Sequence, residues 1–210
     1  MKRYLVIFAL LAQTCFAEDP APRWYMVNLT IFAQGNNGQN EELFNNAMLN
    51  NNVADVVQLS SQPAENTSAA AATVAPILLH HNKNTANGAY LLQTLSPEWQ
   101  AINRKLENGK QNVLFTGQWQ QPMYDEKNAL PIYLESTTTT LGVPSMRALF
   151  TISIAKFLQS QFEINYLNTQ NDTTEPVLIK TTRRMRSGEI HYIDHPLVGI
   201  LIKYTPVGDK

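Results

Sequence analysis

The chain has 210 residues, with 16 basic against 17 acidic side chains, a single cysteine and 44% hydrophobic residues. That length can bury a sufficient core without disulfides. The mildly acidic balance excludes the basic footprint of a nucleic-acid-binding protein, and beyond the N-terminus no stretch is long and apolar enough to be a membrane-spanning helix.

Residues 1–17 read as a cleaved signal peptide. Lys2 and Arg3 form a basic start, residues 4–11 are almost wholly apolar, and Cys15 and Ala17 place small residues at −3 and −1 of a cleavage site before Glu18. Lipidation at Cys15 fits less well, because Gln13 is bulky and polar where a lipid-attachment motif needs a small residue. Losing Lys2 and Arg3 takes the 16 basic residues to 14 against 17 acids, a net charge of about −3 with no cysteine left. The expected mature protein is soluble and exported.

Residues 23–32 alternate as a first strand, with Tyr25, Val27, Leu29 and Ile31 on one face and Trp24, Met26, Asn28 and Thr30 on the other. Residues 34–75 form an Asn- and Ala-rich low-complexity loop; Leu43, Phe44, Met48 and Leu49 could hold a short helix within it. Ser96, Pro97 and Trp99 open a helix carrying Ile102 and Leu106 at helical spacing, and Asn108-Gly109 closes it. Strands follow over residues 111–119, 130–135, 149–157, 162–167, 177–186, 189–193 and 198–204. The sum is one α+β domain over residues 18–210, mostly antiparallel sheet, with few helices and a C-terminal β-hairpin.

That hairpin is expected to turn at Ser187-Gly188, because Gly tolerates positive φ. Arg186 would then oppose Glu189, and Arg184 would oppose His191, on one outward polar face. Met185, Ile190 and Tyr192 would face the core, with Arg183 stacked on Tyr192. Two readings of the polar face stand. One is a solvated strand face with a weak Arg–Glu pair. The other is a recognition surface, since Arg forks suit carboxylates and amides.

No catalytic set emerges. Ser153-x-x-Lys156 matches the Ser-x-x-Lys pattern of penicillin-interacting enzymes, but on a strand its two ends diverge and its companion motifs are absent. His191 and His195 lie about 13 Å apart on a strand and do not converge on a metal; His80-His81 has no nearby Cys or Asp. No cofactor or metal is expected. Of the three tryptophans, Trp119 is the best candidate for a binding contact, because it ends a strand where side chains emerge toward solvent.

The run Arg183-Arg184-Met185-Arg186-Ser187-Gly188-Glu189-Ile190-His191-Tyr192-Ile193-Asp194-His195-Pro196, followed by Leu197-Val198-Gly199-Ile200-Leu201-Ile202, closely resembles the signature of the CsiV family of peptidoglycan-binding proteins. The opening strand Arg23-Trp24-Tyr25-Met26-Val27 and the segment from Val113 to Trp119-Gln120-Gln121-Pro122 resemble further family segments. The chain departs from the family pattern at Asn28, where an acid is usual, and at Thr116 and Gln159, where histidines are usual. The resemblance implies a non-enzymatic periplasmic protein of a Gram-negative bacterium that binds peptidoglycan. It implies support of cell-wall synthesis and cell shape through an outer-membrane lipoprotein that activates a class A penicillin-binding protein. An envelope protein–protein adaptor without direct glycan binding is the alternative. The strand-face argument places surface contacts at Trp119, Gln121, Arg184, Arg186 and His191.

Overall fold

A computed structural model describes residues 22–34, 56–60, 89–170 and 173–208. The expected signal peptide, the short helix near Leu43, the His80-His81 pair and most of the low-complexity loop lie outside them. The elements in chain order are β1 (Arg23–Ala33), β2 (Val57–Gln58), α1 (Pro97–Asn108), β3 (Asn112–Met123), β4 (Ile132–Glu135), β5 (Thr139–Thr140), β6 (Val143–Pro144), β7 (Met146–Ile154), β8 (Leu158–Gln170), β9 (Thr173–Met185), β10 (Ile190–Asp194) and β11 (Val198–Pro206). Val57-Gln58, inside the stretch read as loop, is a short strand parallel to β4.

Two sheets carry the fold. The first has the order β10-β11-β1-β3 and the second β2-β4-β7-β8-β9. Every pair is antiparallel except β2-β4. With one helix among the described residues, the fold is mainly β. The antiparallel, helix-poor architecture stands, but α+β overstates the helical share.

Alternation explains the layering. Tyr25, Val27, Leu29 and Ile31 of β1 are buried in the same core as Phe150, Ile152, Phe162 and Ile164 of β7 and β8. Aromatic contacts join the sheets. The Trp119 ring meets Phe150 edge-on at 6.3 Å, and Phe150 stacks on Phe162 at 4.3 Å. Tyr204 of β11 hydrogen-bonds Ser160 of β8 inside this core. Each large side chain fully buried here contributes about 1.5–3 kcal/mol.

The other face of β1 is closed by α1. Ser96 caps the helix by accepting from the Trp99 N–H at 3.3 Å, Pro97 fills its first position, and Gly109 ends it. Trp99 is buried as expected, but Asn103 is the second buried residue, while Ile102 and Leu106 stay half-exposed. Asn103 is there because the covered strand face is polar. Thr30 donates to Asn103 Oδ1 at 2.8 Å, Asn103 Nδ2 donates to Thr116 at 2.8 Å, and the Trp99 indole donates to Thr30 at 3.0 Å. The outer face of the second sheet carries polar residues such as Gln161, Thr182 and the Lys180–Glu163 pair at 3.2 Å.

The C-terminal hairpin is not where the Ser-Gly signal puts it. β9 pairs with β8, so Arg184 opposes Gln159 and Met185 opposes Leu158. β10 pairs with β11, so His191 opposes Ile202 and Tyr192 opposes Leu201. Residues 186–189 carry the chain from one sheet to the other, and the true C-terminal hairpin is β10-β11. Gly188 does take positive φ, at 84°, but it serves this crossing and donates its N–H to the Tyr204 carbonyl at 2.7 Å. The cause is layering: Met185 fills the second sheet's inner face and Ile193 the first's, so the two strands cannot lie side by side.

Candidate functional site

The crossing lies at one end of the two sheets, beside the bend over residues 155–157 that joins β7 to β8. Together they border an open cleft of about 390 Å³. Tyr25, Leu158 and Met185, all buried, form its apolar lining, and Arg23, Lys156, Phe157, Arg186 and Glu189 form its exposed rim. Phe157 is 41% exposed, which is unusual for a large apolar ring. The bend turns it outward, and cations gather on it. The Arg184 guanidinium lies 5.1 Å from its ring centroid and the Lys156 ammonium 5.8 Å. Contacts of this kind contribute about 0.5–1 kcal/mol at exposed sites, enough to hold a long arginine in place against Phe157.

The charge here is unbalanced. Arg23, Lys156 and Arg186 line the cleft with one acid, Glu189, and Arg184 joins them through its contact with Phe157. The ion pairs among the described residues are Arg147–Glu135, Lys180–Glu163 and Lys203–Glu98, and none of them involves these four cations.

His191 stabilises the crossing. Its Nε2 lies 3.1 Å from the Arg186 backbone nitrogen and 3.0 Å from the Arg186 carbonyl oxygen. A bare Nε2 accepts from the N–H and a protonated one donates to the carbonyl, so either tautomer ties the ring to Arg186. His191 thus sits where it positions Arg186 rather than on the outward face expected for it. His195 accepts from the Leu197 N–H at 3.2 Å. Among the described residues no group of His, Cys, Asp and Glu side chains could hold a metal ion.

Trp119 and Gln121 are elsewhere. Trp119 is fully buried, at 0% exposure, and its indole donates to Gln121 Oε1 at 2.7 Å; Gln121 is buried too. The expected emergence of Trp119 toward solvent is therefore overturned. Pro122 suggests a strand end, but β3 is the edge strand of its sheet, where proline is tolerated, and it runs on to pair Gln121 with Tyr25 and Met123 with Arg23. Trp119 thereby falls in the middle of the core. Of the five expected contacts, the structure brings together Arg184, Arg186 and His191, and leaves Trp119 and Gln121 inside.

Sequence reading missed Phe157, Lys156 and Arg23 as neighbours of that cluster. One signal was present: a large aromatic directly after a lysine, at a break between two alternating segments. It also missed a triad on the far end of β10. Gln34 Nε2 donates to Asp194 Oδ1 at 2.6 Å and to the Tyr192 hydroxyl at 2.7 Å, and that hydroxyl donates to Asp194 at 2.7 Å. The Gln34 and Tyr192 hydrogen bonds hold the Asp194 carboxyl below the usual range. Burial and the bond to Asp194 push the Tyr192 phenol up to about 12. The ring packed on Tyr192 is Phe32, stacked at 6.3 Å, and not Arg183, which belongs to the other sheet.

Of the positions that depart from the family pattern, Asn28 and Thr116 lie on the face of the first sheet that α1 covers, and Gln159 lies directly opposite Arg184. A family model described as "Peptidoglycan-binding protein, CsiV" matches residues 1–207. No curated protein and no solved structure matches the chain.

Proposed function

Starting from the fact that this chain belongs to the CsiV family of peptidoglycan-binding proteins, we propose that it is a non-catalytic periplasmic factor that holds the sacculus through the basic cleft at the sheet crossing. The observation that carries this reading is the gathering of Arg23, Lys156 and Arg186 in the cleft, with Arg184 beside them on the exposed Phe157, none of them in an ion pair among the described residues. An exposed cation cluster with a single acid beside it and no ion pair among the described residues is poised for an anionic ligand, because no such pair must be broken to receive it. In this reading the first 17 residues direct export and are removed. The bound protein supports wall synthesis by presenting a lipoprotein activator to a class A penicillin-binding protein. The non-catalytic assignment is supported by the family description and by the geometry of the one enzyme-like motif: Ser153 is buried in β7 while Lys156 is exposed at the bend.

The test is co-sedimentation of the purified mature protein with isolated sacculi. Retention at low salt is expected, weakening as ionic strength screens the cleft. Arg184→Ala with Arg186→Ala should lower retention roughly tenfold, since two exposed charge contacts together are worth about 1–2 kcal/mol. Complete recovery in the unbound fraction, together with a stable complex with an envelope lipoprotein, would replace this reading with the adaptor alternative.

A further inference from the structure

Resting on that reading of the cleft, we propose that it takes a free carboxylate of the peptide stem and not the glycan strand. The chemistry of the polymer makes the distinction. Once the lactyl acid of the glycan is amide-linked to the stem, the strand of N-acetylated sugars is neutral, and the negative charge of peptidoglycan resides on the stem carboxylates. Arg23, Lys156 and Arg186 in the cleft, with Arg184 beside them on Phe157, match that charge, and guanidinium forks match the planar carboxylate.

The cleft is correspondingly poor in what a sugar site needs. Sugars are held by a bare aromatic face, with hydrogen bonds to the ring hydroxyls. The Phe157 ring already carries the Arg184 and Lys156 cations over it, at 5.1 and 5.8 Å, so a sugar would have to displace them. Trp119, the aromatic expected to make the binding contact, is buried with its indole N–H bound to Gln121. Tyr25 lines the cleft but is itself buried. Phe157 is thus a post that spreads two cations toward the ligand, and Glu189, the one acid on the rim, opposes a carboxylate near it.

The experiment titrates the mature protein with three soluble probes: disaccharide–peptide fragments with free carboxylates, the same fragments with those carboxylates converted to amides, and glycan strands stripped of peptide whose exposed lactyl acids are likewise converted to amides. The free-acid fragments should bind. Amidation should weaken them roughly tenfold or more, the loss expected for a charge-assisted contact, and stripped strands should bind no better than amidated fragments. Glu189→Gln should tighten free-acid binding about two- to threefold by removing the opposing charge. Equal binding of free and amidated fragments, or stripped strands binding as well as free-acid fragments, would overturn the inference while leaving sacculus retention intact. Failure of the protein to sediment with sacculi, measured in parallel, would instead remove the reading on which it rests. The comparison of ligands needs no variant to fold.

Discussion

At the scale of single residues, the structure divides the side chains that look functional into those that hold the fold and those that face a ligand. Trp119 belongs to the first kind. Trp119→Ala should destabilise the protein by about 3–5 kcal/mol through the cavity it leaves, measured by denaturant unfolding. Trp119→Phe should cost about 1–3 kcal/mol because it strands the buried Gln121 carbonyl oxygen. Unchanged stability of both would place Trp119 outside the core. Gly199 is a second structural position. A Cβ built there runs into the Phe32 ring. Gly199→Ala should therefore cost about 1–3 kcal/mol and disturb the Phe32–Tyr192 stack, with a matching change in the near-ultraviolet circular dichroism. Neither fact was legible in the sequence. Alternation put Trp119 on a strand, but only the continuation of β3 past Pro122 shows that its face is internal.

Elements were legible where local chemistry decides them. The Ser96 cap, Pro97 and Gly109 mark α1 without tertiary information, and Ser96→Ala should lower stability by about 1 kcal/mol, read as a fall in the urea midpoint at unchanged slope. Strand faces were legible in β9 but not in β10, where Ile190 and Tyr192, expected in the core, are 42% and 46% exposed and Ile193 is buried instead. The alternation that sets Met185 inward and Arg184 outward holds in β9, whatever strand lies beside it. Partners were not legible. Ser187-Gly188 satisfies the backbone requirement of a hairpin turn, but a sheet-to-sheet crossing needs the same positive φ, and no local signal separates the two. The expected Arg186–Glu189 and Arg184–His191 pairings were lost for that reason. Arg184 and Arg186 were expected next to the turn, and they lie beside the crossing under either connection. Phe157 and Arg23, distant in sequence, could be added only once the pairing of β8 with β9 and of β1 with β11 had placed them.

On the scale of the whole molecule, two sheets share one core, which buries tyrosines as well as hydrocarbon. Burial, with a lesser contribution from Tyr124, pushes the Tyr90 phenol up to about 12, and burial raises Tyr204 further despite its hydrogen bond to Ser160. A phenol whose folded pKa lies above the unfolded value near 10 stabilises the protein fully below that pH. The stability is lost as pH rises toward the folded value, because only the unfolded chain releases the proton. Alkaline titration should show these tyrosines ionising together with loss of the sheet signal above about pH 10; ionisation with the fold intact would contradict their burial. Asp194 has the opposite sign. Its lowered pKa favours the folded state above the unfolded carboxylate range, and that contribution disappears as the pH falls through the folded value.

The same architecture leaves the end of the sheets carrying the unpaired charge, and the account rests on that charge meeting the wall. Co-sedimentation of the mature protein with purified sacculi, comparing the native chain with the Arg184→Ala, Arg186→Ala double variant at low salt, tests this most directly. Retention of the native protein, with roughly tenfold weaker retention of a folded double variant, is the predicted result. Equal retention of the two, or none of either, would contradict it.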